Sequence, residues 1–177
     1  MEMEGRTALV TGGTAGIGLA IAKALQDAGA MVIVNGRDPA RGARAIAQLG
    51  GRAKFEAGDC SSAQQAAELL ERVVRNHGRL STLVVSGGAA HRPPAPFHEL
   101  TEQDFVHVYA SQFLNRVYPI HAALPHMREA GGSIRILGTD AGRQATTGEA
   151  LHGAMGSAKI MLTKTLAREF GRWKIRV

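Results

Sequence analysis

Short apolar runs alternate with longer amphipathic ones along the whole chain. Ala8-Leu9-Val10, Met31-Val32-Ile33-Val34, Leu80-Ser81-Thr82-Leu83-Val84-Val85 and Ser133-Ile134-Arg135-Ile136-Leu137 are of strand length, and their mostly continuous apolar character fits parallel strands covered on both faces. Arg52-Ala53-Lys54-Phe55-Glu56-Ala57 reads as the third strand in order and Ile175-Arg176-Val177 as the start of a sixth. Between the strands lie amphipathic helices. The first contains Leu19 to Leu25, the second runs from Pro39 to Leu49, and the third is capped by Ser61 or Ser62 and reaches about Asn76. A long helix opens on Thr101-Glu102-Gln103-Asp104, spaced like a capping box, and runs to about Met127 with Pro119 expected to kink it. The last helix carries Lys159 and ends near Gly171. Alternating β and α units predict an α/β protein of three layers, a doubly wound parallel sheet forming a single domain over residues 1–177.

The junction between the first strand and the first helix reads Thr11-Gly12-Gly13-Thr14-Ala15-Gly16-Ile17-Gly18. Gly12 permits a tight exit from the strand, Gly16 admits a phosphate close to backbone, and Gly18 lets the helix pack against the sheet. Backbone N–H groups and the positive end of a helix then converge on one point, as a pyrophosphate requires. A second glycine turn, Ser86-Gly87-Gly88-Ala89, closes the fourth strand beside the crevice where strand order should reverse, and His91-Arg92-Pro93-Pro94-Ala95-Pro96 follows as a stiff, extended loop. The second strand ends at Asn35-Gly36-Arg37-Asp38, where a dinucleotide fold meets the adenosine ribose. No carboxylate stands there for a ribose 2′-OH, whereas Arg37 can grip a 2′-phosphate, so NADP is favoured over NAD. A surface pair between Arg37 and Asp38 is the plainer use of that arginine. Asp59, at the end of the third strand, fits either an adenine-amine acceptor or a helix cap.

Composition narrows the field. The chain has 177 residues, 45% hydrophobic, enough for one sizeable core. The net charge is +6 and the pI about 10.1, yet the arginines are scattered and few aromatics lie among them. The sequence thus gives no sign of a nucleic-acid partner, and the positive field suits a phosphorylated cofactor. No apolar run has membrane-spanning length, the N-terminal Met1-Glu2-Met3-Glu4 does not resemble a signal peptide, and the single Cys60 agrees with a reducing compartment. A cytoplasmic protein with no membrane partner is the expectation.

Over essentially its whole length the chain resembles the short-chain dehydrogenase/reductase family. The resemblance rests on Thr11-Gly-Gly-Thr-Ala-Gly-Ile-Gly18, Asp59, Leu83-Val-Val-Ser-Gly-Gly88, Leu124-Pro-His-Met127, Gly131-Gly-Ser-Ile134, Ala158-Lys159 and Ile175-Arg-Val177. It implies a Rossmann fold, a cofactor of the NAD(P) type and hydride transfer to or from a carbonyl or alcohol carbon. The cofactor residues implied are Gly12, Thr14, Gly16, Ile17, Gly18, Arg37, Asp59, Ser86, Gly87 and Lys159. The family's active-site tyrosine, four positions before the lysine, is replaced by Met155, which has no acidic proton. The family's serine matches Thr139, or less well Gly138, and its helix asparagine matches Gln112, with Asn115 one turn on to compensate. Val85 and Ser86 stand for the fourth-strand asparagines, and Lys159 alone is intact. His152 is the nearest replacement acid or base, with Asp140 to orient it, because imidazole exchanges protons near neutrality; an ordinary surface histidine at a helix start is the competing reading. Tyr109, Tyr118 and Trp173 read as packing residues.

Family members continue the sixth strand into a Pro-Gly turn, a substrate-covering loop and a further strand, so the resemblance implies a fold short at its C-terminus with an exposed last strand. Three functions fit: an NADP-dependent oxidoreductase with an atypical centre, a non-redox enzyme on the same fold performing a cyclisation, elimination or rearrangement, and a catalytically silent dinucleotide-binding module. A small-molecule substrate and a homodimer or homotetramer are expected. The family's interface would use the helices over 102–127 and 152–171, with Ala122, Ala123, Leu162, Leu166 and Phe170 as apolar contacts, unless the sheet claims those faces.

Overall fold

The computed structural model describes residues 2–88 and 93–177. Ala89, His91 and Arg92 of the second glycine turn and its extended loop lie outside the described residues. The elements are β1 (Thr7–Thr11), α1 (Gly16–Asp27), β2 (Met31–Gly36), α2 (Pro39–Leu49), β3 (Lys54–Ala57), α3 (Ala63–His77), β4 (Leu80–Val85), α4 (Glu102–Tyr109), α5 (Asn115–Met127), β5 (Gly132–Ile136), α6 (Ala150–Phe170) and β6 (Ile175–Arg176). The strands form one parallel sheet in the order β3-β2-β1-β4-β5-β6. Strand order therefore reverses between β1 and β4, and a crevice opens there at the carboxyl edge.

The continuous apolar strands are buried on both faces because successive side chains point to opposite sides. Leu9, Ile33, Leu83 and Ile134 join Leu69, Leu70 and Val73 of α3, Ile120, Ala123 and Met127 of α5 and Phe170 of α6 in one layer. Ala8, Val10, Val32, Val34 and Val84 pack with Ala22 of α1 and Ala45 and Leu49 of α2 in the other. Burying each Leu or Ile side chain contributes roughly 1.5–3 kcal/mol. The result is the three-layer Rossmann arrangement expected from the alternation.

Side-chain caps start the helices where the sequence places them. Asp38 accepts from the N–H of Ala40 and Arg41 ahead of α2, Ser62 from Gln65 ahead of α3, and Thr101 forms a capping box with Asp104 ahead of α4. Four expectations need correction. The helix after Thr101 is not one α-helix kinked at Pro119: it widens to a π-turn over Ala110–Leu114, and Pro119 lies inside the regular α5 that follows. The third strand begins at Lys54 rather than Arg52, and the fifth spans Gly132–Ile136, ending one residue before Leu137. Ala123 and Phe170, expected at a subunit interface, are 0% and 4% exposed beneath the sheet, so the sheet claims those positions within the chain.

Candidate functional site

β1 brings the chain to the crevice at Thr11, where Gly12 turns it with φ +65°. A side chain at Gly12 would collide with the backbone of Gly87 in the turn after β4, so the two glycine turns touch backbone to backbone. Ser86 Oγ donates to the Thr11 carbonyl (2.6 Å) across the same junction. Gly16, at φ +53°, differs: nothing lies within 4 Å of where a Cβ would stand. α1 begins there with Ala15 as N-cap, no capping side chain and no acidic residue in its first turn. The free N–H groups and the positive helix end are thus left for an anion.

A cleft of about 630 Å³ opens over this point, lined by Gly12, Thr14, Gly16, Ile17, Gly18, Arg37, Asp59, Ser86 and Gly87 among others. Every residue expected at the cofactor is there except Lys159. Arg37 does not pair with Asp38; its guanidinium lies 3.9 Å from Asp59 Oδ2 with the side chain 67% exposed, and Arg41 pairs with Asp38 instead (3.6 Å). Asp59 Oδ1 accepts from the Ser61 N–H (2.9 Å) and Oγ (2.6 Å), so one oxygen shapes the entry to α3 while the other faces Arg37. Buried Asn35 holds the two loops together. Its Nδ2 donates to the carbonyls of Glu56 (3.0 Å) and Gly58 (3.1 Å), and its Oδ1 accepts from the Cys60 thiol (3.2 Å).

Of the residues expected to carry the chemistry, Thr139, Lys159, Gln112 and His152, none lines this cleft. Thr139 precedes the short turn Asp140–Gly142 and packs on α6, where a Cβ added at Gly156 would come within 2.8 Å of its Cγ2. Lys159 is 2% exposed on the same face of α6. Burial first, and then the charge of Arg116, push its ammonium down to about 8. Gln112 lies in the π-turn under the second glycine turn, its Nε2 3.0 Å from a Cβ placed on Gly88. Asn115 is engaged elsewhere, donating to the Gly87 carbonyl (2.8 Å) and accepting from Arg116 (2.6 Å). His152 lines a separate hollow of about 20 Å³ with Pro94, Asp104 and Val108, which meets the cleft only at Ser111. Among the described residues no hydrogen bond joins it to Asp140. Met155, half-buried on α6, offers no proton.

Arg116 is the residue that reading the sequence overlooked. It is 4% exposed, and it donates to the carbonyls of Leu137 (3.3 Å), Ser111 (3.2 Å) and Ser86 (3.5 Å) as well as to Asn115 Oδ1. The guanidinium thus ties the carboxyl ends of β4 and β5 to the π-turn. Its position was legible in principle, because Arg116, Ile120, Ala123 and Met127 share one buried stripe at helical spacing.

A strand-order reversal with an uncapped glycine-turn helix beside it marks an α/β protein of the Rossmann type, a fold whose ligands bind in that crevice. The family model described as short chain dehydrogenase matches residues 6–177. A solved structure described as a short chain dehydrogenase/reductase family protein superposes with a TM-score of 0.91 at 34% identity, covering 100% of this chain and 73% of that one. An uncharacterized oxidoreductase of Methylorubrum extorquens is 34% identical over 99% of this chain and 71% of its own length. An L-fucose dehydrogenase of Oryctolagus cuniculus is 32% identical over 98% of this chain and 60% of its own. The chain belongs to the short-chain dehydrogenase/reductase family, whose members are oxidoreductases that generally use NAD(P).

The cleft suits a cofactor of that class. Gly16 leaves open space for a pyrophosphate at the end of α1, and the contact of Gly12 with Gly87 keeps the floor free of side chains. Bound there, such a cofactor would give a hydride in its reduced form or accept one in its oxidised form. Gly12, Thr14, Gly16, Ile17 and Gly18 would hold its phosphates, Arg37 and Asp59 its adenosine end, and Ser86 and Gly87 the inner part.

Proposed function

We propose that this chain binds NADP in preference to NAD and uses it to reduce a small carbonyl compound, or to oxidise the matching alcohol, at a weakened centre. The observation that carries the reading is Arg37 on the cleft beside Asn35-Gly36, where a cation replaces the carboxylate that a 2′-OH would need. Thr139 orients the substrate oxygen, Lys159 holds the ribose, and Gln112 stands in the place of an asparagine. The likeness to sugar and other dehydrogenases supports a substrate with a hydroxyl or carbonyl carbon. No helix among the described residues is long and apolar enough to cross a membrane, and a cytoplasmic location agrees with the lone, buried Cys60. A homodimer or homotetramer would form on the outer faces of the helices over 102–127 and 152–171, where Val106 (64%), Tyr109 (47%) and Met161 (62%) are exposed.

The test is a fluorescence and calorimetric titration of the chain with NADPH and with NADH. NADPH should bind more tightly, and Arg37→Ala should weaken it roughly 5- to 30-fold, the loss of one charge-assisted contact discounted for exposure, while leaving NADH unchanged. Failure of both cofactors to bind would overturn the reading. Met155 favours a second reading, non-redox chemistry in the same pocket, which consumption of a substrate without NADPH oxidation would establish. NADPH binding with no turnover of any substrate would leave a dinucleotide-binding module.

A further inference from the structure

The hollow of about 20 Å³ between the segment after β4, the helix α4 and the start of α6 meets the cleft at one residue, Ser111. Six of the ten residues around it are apolar: Pro93, Pro94, Ala95, Leu100, Val108 and Leu151. Asp104, on the same wall, is held in the capping box by the N–H and hydroxyl of Thr101. Ser111 belongs to the π-turn Ala110–Leu114, a bulge of the kind that helices frequently place at functional sites. Its carbonyl accepts from Arg116 (3.2 Å), but its hydroxyl is buried with no hydrogen-bond partner among the described residues. A buried hydroxyl without a partner is costly. Standing where two cavities meet, it points to a ligand that supplies the missing bond.

We propose that the hollow seats the end of a short alkyl arm on the substrate carbonyl, and that the Ser111 hydroxyl donates to the carbonyl oxygen, in addition to the role given to Thr139. The proposal rests on the NADP-dependent reduction proposed above and names its substrate class, a short aliphatic aldehyde or ketone rather than a polyhydroxylated sugar. Size sets the first half of it. About 20 Å³ holds one group of the size of a water molecule, and a mostly apolar wall gives a water too few partners, so a terminal methyl is the better occupant. Position sets the second half. The reacting carbon must face the cleft to receive a hydride, and with the alkyl arm in the hollow that carbon lies at the junction where Ser111 stands. The chemistry stays that of the reduction: the carbon gains a hydride, the oxygen gains a proton from water, and NADPH is oxidised to NADP⁺.

One test needs no turnover. In the chain labelled with ¹³C at its leucine and valine methyls, with and without NADPH, propan-1-ol should shift the signals of Leu100, Val108 and Leu151. Ethylene glycol at the same concentration should leave them in place. The other test is NADPH oxidation. Propanal should exceed glycolaldehyde by about 10²-fold in kcat/KM, the scale on which an apolar pocket discriminates against a hydroxyl in place of a methyl. Ser111→Ala should lower kcat/KM for propanal roughly 10- to 100-fold, the loss of one hydrogen bond to a growing charge, and leave NADPH affinity unchanged. Ser111→Thr should restore part of it. Leu151→Ala, which lengthens the hollow, should raise the ratio of pentanal to propanal by about tenfold or more.

A preference for glycolaldehyde, leucine and valine signals unmoved by propan-1-ol, or a kcat/KM indifferent to Ser111→Ala would overturn the proposal. Should Leu151→Ala fail to fold, the wild-type aldehyde ratio and the Ser111 variants still decide. NADPH binding without oxidation by any aldehyde, while propan-1-ol still moves the three residues' methyls, overturns the underlying reduction and not the fit of the hollow.

Discussion

Two glycines of one turn should fail in opposite ways when given a methyl group. Gly12 and Gly16 both hold φ in the left-handed region, at +65° and +53°, so alanine at either costs about 1–2 kcal/mol. A reduced unfolded-state entropy offsets part of this, about 0.4–1 kcal/mol. At Gly12 the added Cβ also meets the backbone of Gly87, which no rotamer change can relieve. Overpacking of that kind costs a further 1–3 kcal/mol or so. At Gly16 the methyl enters open space, where the pyrophosphate would lie. Gly12→Ala should therefore melt below Gly16→Ala by roughly 2–12 °C, at about 2–4 °C per kcal/mol for a chain of this size. Gly16→Ala should keep most of its stability and lose NADPH affinity by at least an order of magnitude. Circular-dichroism melts and NADPH fluorescence titrations on the two variants measure both effects. If Gly16→Ala melts at or below Gly12→Ala, or binds NADPH like the wild type, the assignment of one glycine to the joint and the other to the ligand is wrong.

Other outcomes follow from groups away from that turn. Burial alone would raise the Glu56 carboxyl, but hydrogen bonds from Asn76, His77 and Arg72 and the charge of His77 outweigh it and hold it below the ordinary carboxylate range. Its contribution to stability is therefore present above the ordinary carboxylate range and lost as pH falls through the lowered folded value, so between about pH 5 and pH 3 the wild type should lose more Tm than Glu56→Gln. The Cys60 thiol is pushed up to about 12 by burial and then by the Asp59 charge. In the native protein at pH 8 it should resist a disulfide reagent and react fully in denaturant; rapid native labelling would contradict its burial. Met161→Glu should move the protein from dimer to monomer in sedimentation velocity with an unchanged far-UV spectrum. An oligomer indifferent to it would place the interface elsewhere.

The middle of the sheet was legible because β1, β2 and β4 are mostly apolar runs, and the starts of α2, α3 and α4 carry side-chain caps at Asp38, Ser62 and Thr101. The phosphate end of the cleft was legible for a related reason: a glycine turn between a strand and a helix is a local signal. The inner end is not local. The Asn115 N–H reaches back to the Ala110 carbonyl rather than to that of Ser111, and the Arg116 guanidinium takes up the Ser111 oxygen. The turn therefore widens there, well before the proline that the sequence suggests as the breaker. Arg116 itself read as one more scattered arginine until α5 turned it inward. Asn35 was likewise noticed only as a missing carboxylate, whereas its value lies in tying β2 to β3.

The contact between Gly12 and Gly87 also bears on how this molecule can be redesigned. The two turns belong to different halves of the sheet, and each fills the space that a side chain of the other would need. They behave like the two leaves of a hinge cut from one blank. A loop transplanted from another protein into either position carries its own separation from the opposite leaf, and a mismatch there would wedge the halves apart along β1 and β4. Chimeras should therefore exchange the two turns together, as a matched set, and libraries that randomise one should hold the other as glycine.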